Sequence, residues 1–361
     1  MSGFLKGAIS PSFFIMDGDL PPRDELEAVL SVGAFDFEVD KLQKLKIDER
    51  LTGWLSGFSG EPIFSDINDW APSNAYFLRI QLAEKKIKAS EVAWRHRAAL
   101  KAWVAENRPD FEPGEKPCIP RAVRAELKQA ISEQICLQTA PTIRQATLVV
   151  LPDDKVVILD TQATWAVDLV RTMFRNLTGV TLTPETWGDY LSEDVAKGLA
   201  IDSSSSILQY VWRMTHKGGV HVPADLGSVF FSAENSATLV RGDDTTSIKA
   251  YGSLPSQEVR SALKQGKAFS AVGAHIVDST NGWEATGQLA AASETISLKG
   301  IKLMGADSMG DDQEATFADR LGLLLWVKSA TNALVKGFAV EQPSIWPDDE
   351  VGEADEADGE G

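Results

Sequence analysis

The chain has 361 residues, 43% of them hydrophobic and 24% charged, with a formal net charge of −17. That length and balance fit two or three compact units with ordinary cores and exclude a small disulfide-stapled module. No apolar run reaches the roughly eighteen residues a membrane helix needs, and the opening stretch breaks at Ser10, Pro11 and Asp17 before a signal-peptide core can form.

Cys118 and Cys136 stand at neither metal-ligand nor disulfide-framework spacing, so a reducing cytoplasm is the expected compartment. The acidic total argues at first against nucleic acid, but the charge is unevenly spread. The last fifteen residues hold eight acids and no base, whereas Lys85 to Lys128 hold eleven Lys or Arg against six Asp or Glu.

An apolar run at Phe13 to Met16 reads as a strand, and Pro21-Pro22 followed by RDELEAVL as a helix start, with Pro and acids favoured in the first turn. Tyr76 to Leu82 alternates: Tyr76, Leu78, Ile80 and Leu82 on one face, Phe77, Arg79 and Gln81 on the other, as in a half-buried strand. Ser90 suits the N-cap of a helix running to Asn107. After a Pro- and Gly-rich loop, a second helix follows Pro120. Val123, Leu127, Ile131 and Ile135 form its apolar stripe, leaving Arg121, Arg124 and Lys128 outside it.

Thr147 to Leu151 and Lys155 to Asp160 flank a Pro152-Asp153-Asp154 turn and read as a hairpin. A helix from Gln162 to Arg175 and a strand at Val180 to Thr183 follow. Ser203 to Ser206 reads as a linker and cap for a helix from Ile207 to Met214. Strand patterns recur at Ser228–Phe231, Ala237–Arg241, Thr246–Tyr251, Lys267–Val277, Trp283–Leu289 and Thr295–Met304, with a helix at Ser256–Gln265. A long helix from Ala315 to Phe338 closes the fold, and the acidic tail is expected to be disordered.

The expected class is α+β, with mixed and antiparallel sheets flanked by helices. The expected divisions are an N-terminal α+β region at 1–84, a basic helical hairpin at 85–140, a hairpin-helix-strand unit at 141–200, a β-rich region with its closing helix at 201–345, and the tail at 346–361.

This order of elements, with the stretches IKASEVAWRHRAALKA, RAVRAELKQAISEQI, KVVILDTQ and ALKQGK, resembles the RdgC family of recombination-associated proteins from roughly Tyr76 to Phe338. The resemblance implies a ring- or horseshoe-forming homodimer around double-stranded DNA, with little sequence preference, that restrains strand exchange by a RecA-type recombinase. It implies a nucleoid-associated cytoplasmic protein that is not an enzyme and carries no cofactor. Near the position where the family's ring closes, this chain reads Leu137 to Arg144 without the family's Pro-Arg pair and aromatic.

Binding without sequence preference needs cations that neutralise phosphates rather than side chains aimed at base edges. The candidate contacts are Lys85, Lys86, Lys88, Arg95, Arg97, Lys101, Arg121, Arg124, Lys128 and Arg144, with Lys264 and Lys267 around Gly266 as a second group. Trp94, Trp103, Trp165 and Trp326 sit in predicted helices and are expected in the core or at a subunit contact.

Two other classes compete. A metal-dependent nuclease would need converging carboxylates, but Asp153-Asp154, Asp243-Asp244 and Asp311-Asp312 fall in predicted turns, where Asp is favoured for backbone hydrogen bonding. A module that binds a recombinase without touching DNA is the other. No nucleotide-binding glycine motif occurs, and His96, His216, His221 and His275 show no metal-ligand spacing.

Overall fold

The computed structural model describes residues 4–107, 119–199, 203–215, 218–224, 227–241, 247–251, 257–305 and 312–341. In chain order the elements begin with β1 (Ser12–Asp17), α1 (Arg23–Val32), α2 (Val39–Lys44), β2 (Arg50–Ser56) and β3 (Tyr76–Glu84). They continue with α3 (Ala89–Asn107), α4 (Arg121–Gln138), β4 (Thr142–Leu151), β5 (Val156–Leu159), α5 (Thr164–Thr178) and β6 (Thr181–Pro184). The remainder are α6 (Glu193–Gly198), α7 (Ser203–Thr215), β7 (Val220–Ala224), β8 (Gly227–Val240), β9 (Ile248–Tyr251), α8 (Gln257–Lys264), β10 (Ala268–Asp278), β11 (Trp283–Ala292), β12 (Thr295–Leu303) and α9 (Gln313–Glu341). The protein is α+β. Among the described residues the strand ladders are antiparallel, and the parallel contact is a single bridge between Ala34 and Trp54. No described helix is long and apolar enough to cross a membrane.

The chain forms two units, neither continuous in sequence. Unit 1 comprises Met1–Gly18, Asp154–Val167 and Thr181–Gly361, and unit 2 comprises Asp19–Asp153 and Asp168–Val180.

In unit 2, β3 lies between β2 and β4, with Trp54 opposite Ile80 and Ile80 opposite Ala146. The expected half-exposed face of β3 is covered. Phe77 is buried edge-on against Phe58, with ring centroids 5.0 Å apart. Arg79 donates to the carbonyls of Gly57 and Phe58 at 2.7 and 2.9 Å, and Gln81 is also buried. Backbone near Phe35 crosses β2 so closely that a Cβ on Gly53 would stand 2.3 Å from the Phe35 Cα, which leaves room there for glycine alone.

In unit 1, β1 takes β5 on one side and β6 on the other, with Phe14 opposite both Val157 and Pro184. A second sheet runs β12-β11-β10-β8-β7, with β9 paired to β8. Its covered face packs on α7, whose Ile207, Leu208 and Val211 are buried, and α9 packs along β7 and β12. Ser203 and Ser204, read as part of a linker and cap, are instead buried in the first turn of α7.

The stretches read as strands at Ser228–Phe231 and Ala237–Arg241 are one strand, β8, with a register shift opposite Val272–Ala274. A Cβ on Gly273 would lie 2.0 Å from the Glu234 carbonyl oxygen, so the irregular strand is accommodated by a missing side chain on its neighbour. Cys118, His216, Asp243-Asp244, Asp311 and the acidic tail lie outside the described residues.

Candidate nucleic-acid interface

Both ends of the helical hairpin start from one end of the unit 2 sheet, where Glu84 of β3 faces Thr142 of β4. At that base the buried Glu84 carboxylate meets three cations: Arg144 at 2.9 Å, Lys86 at 3.1 Å and Arg50 at 3.6 Å. Two were candidates from sequence. Arg50 was not, because only the register of β2 against β3 brings it there.

Lys85 is a correction. It is 3% exposed, and its ammonium donates to the carbonyls of Gln43 at 2.6 Å and Cys136 at 3.0 Å. Those carbonyls belong to the last turns of α2 and α4, where unpaired oxygens and the helix dipole favour a cation. Lys85 therefore points inward and fastens the hairpin to the sheet, while Lys86 and Lys88 beside it are exposed. Cys136 is also buried, its thiol 3.5 Å from the Leu45 carbonyl.

The hairpin itself has little core. Val92, Ile131 and Ile135 form its buried cluster, with Ile87 and Ala99 against it. The predicted stripe on α4 is therefore buried only in its second half, and Val123 and Leu127 are half-exposed. Arg124 stands seven residues before Ile131, and Lys128 seven before Ile135, within about 20° round the helix. These two cations continue the line of the buried isoleucines instead of lying off it.

On α3 the pattern is different. Val92, Ala99 and Trp103 mark the packed side, and Trp94, Arg97 and Lys101 occupy the opposite one. The helix begins at Ala89, one residue before the expected cap Ser90. Arg95 is half-buried, paired with Glu91 at 2.7 Å and with the Gln138 side chain at 3.2 Å. The His96 ring nitrogen Nε2 lies 3.0 Å from the Arg124 carbonyl oxygen.

Seven candidate cations thus project from the hairpin and its base: Lys86, Lys88, Arg97, Lys101, Arg121, Arg124 and Lys128. Exposed ammonium and guanidinium groups at this density can neutralise phosphates and release their condensed counterions. Lys264 and Lys267 belong to unit 1, at the end of α8 and past the turn at Gly266, whose φ of 75° is the left-handed conformation a glycine turn supplies.

Of the tryptophans expected in the core or at a subunit contact, Trp326 is buried, whereas Trp94 is 66% exposed and takes no part in the core. Leu137 and Ile143, at the hairpin base, are also exposed, at 74% and 50%. Of the carboxylate pairs, Asp153-Asp154 occupies the β4–β5 turn, and Asp312 caps α9 by accepting from the amides of Glu314 and Ala315. Among the described residues no group of three metal-ligating side chains converges.

No family model matches the chain, and comparison with curated proteins returns no match.

Proposed function

We propose that this protein binds double-stranded DNA without sequence preference through the helical hairpin of unit 2, as a dimeric clamp or ring that restrains RecA-type recombination. The observation that carries the reading is the set of seven exposed cations on α3, α4 and the segment joining β3 to α3, in a chain of net charge −17. Acidic surface elsewhere repels phosphate and leaves the hairpin as the favoured approach. The resemblance to the RdgC family supplies the recombination context. Leu137 and Ile143 lie in the stretch corresponding to that family's ring closure, and their exposure suits a contact with a second copy.

The test is fluorescence anisotropy of two unrelated labelled duplexes of equal length across a salt series. The expected result is similar affinity for both, falling linearly with log salt. Combined Arg121→Ala, Arg124→Ala and Lys128→Ala substitutions should weaken both equally and reduce the slope by about 0.9 for each phosphate that the variant no longer neutralises. Absence of binding at low salt would overturn the DNA reading, and a monomer by light scattering, with and without DNA, would overturn the clamp.

A further inference from the structure

Trp54, Trp70 and Trp326 are at most 2% exposed, yet Trp94 presents two-thirds of its surface. Arg97 and Lys101 follow it at three and seven residues on the same side of α3, and both are exposed. The residues flanking this row are Ala93, Ala98 and Ala102, also exposed, so the indole's larger neighbours on its own helix are Ser90, Glu91 and Arg97. The acid within one turn is Glu91, and Arg95 already holds its carboxylate. Arg97 donates from Nε to the Ala93 carbonyl at 3.3 Å, which lays its side chain back toward the turn that carries Trp94.

An open aromatic face bordered by cations and free of unpaired carboxylates is the combination that takes an unstacked base and its flanking phosphates. Duplex bases already stack on one another and cannot use it. We propose that the outward face of α3 is a sequence-tolerant site for single-stranded nucleic acid, with Trp94 stacking on a base and Arg97 and Lys101 holding the adjoining phosphates. The inference rests on the DNA-binding reading and extends it to unpaired strands.

The test uses the full chain, a labelled oligothymidylate of about sixteen nucleotides and a duplex of the same length. Trp94→Ala should lower affinity for the oligothymidylate about tenfold and for the duplex less than about twofold, while Trp94→Phe keeps most of the single-strand affinity. Unchanged thermal melting and light scattering of both variants exclude a folding or assembly effect.

Equal single-strand binding by wild type and Trp94→Ala overturns the proposal, as does an equal loss on both probes. Loss of self-association in Trp94→Ala with single-strand binding intact assigns the face to a second copy and also overturns it. Wild-type protein that binds duplex but not oligothymidylate overturns this proposal alone, and the reverse pattern overturns the duplex reading alone. Binding to neither overturns both.

Discussion

Replacing Lys85 with methionine removes one ammonium while keeping most of the side-chain volume, so it separates an inward structural role from an outward phosphate contact. The ammonium makes hydrogen bonds of 2.6 and 3.0 Å to carbonyls of Gln43 and Cys136, and the residue is almost wholly buried. Hydrogen bonds from a charged group contribute about 1.5–3 kcal/mol each, and part of the loss is recovered because methionine has no charge to desolvate. The expected net loss is about 2–3 kcal/mol, or roughly 4–12 °C in the melting temperature of a domain this size. Urea denaturation followed by circular dichroism reads the first quantity and a thermal melt the second. Duplex affinity of the folded variant should match wild type. A stability change below about 0.5 kcal/mol, the range of ordinary surface substitutions, together with weakened DNA binding would refute the inward assignment.

Asp278 closes the β10–β11 turn, accepting from the amides of Thr280 and Asn281 at 2.8 and 3.2 Å and from the Asn281 side chain at 2.8 Å. Burial opposes its ionisation, but these hydrogen bonds outweigh it and hold the carboxyl below its ordinary pKa. A folded-state value below the unfolded one stabilises the protein above about pH 4, and that contribution is lost as pH falls through the folded value. Asp278→Ala should lower the urea midpoint at neutral pH, with the gap narrowing as pH falls below about 4; a gap independent of pH would contradict this. Gly273→Ala sets a methyl against the Glu234 carbonyl and should cost about 1–3 kcal/mol by urea denaturation, whereas an unchanged midpoint would mean that β8 shifts freely.

The sequence locates most elements by hydrophobic period, and the departures have tertiary causes. In β3 the alternation identifies the strand but not its second cover, because residues 57 and 58, some twenty positions earlier, fold over Phe77 and Arg79. Polar Glu234 and Asn235 interrupt the pattern of β8, although its ladder with β10 continues past them. At the candidate interface, composition finds the cations but not their direction. Lys85 and Lys86 are neighbours, and the carbonyl-rich ends of α2 and α4 draw one inward. Trp94 reads by residue type as core or subunit contact, and its place opposite Val92 on α3 keeps it out of the core.

The first described residues of unit 1 depend on partners encoded near the other end of the chain. The Ile9 amide and carbonyl pair with those of Ile301 at 2.9 and 2.7 Å, and Ser10 accepts from the Gly300 amide at 2.9 Å. Gln162 donates to the carbonyls of both Pro11 and Leu298, and buried Arg320 donates to the carbonyl of Gly7. At a synthesis rate of about 5–20 residues per second, Phe4 and Ile9 emerge tens of seconds before those partners. Unit 2, by contrast, has every residue it needs once position 180 is made. A nascent chain thus carries a hairpin-bearing unit with all its residues made while an apolar segment still awaits its mate, an interval in which a ribosome-associated chaperone would have most to protect.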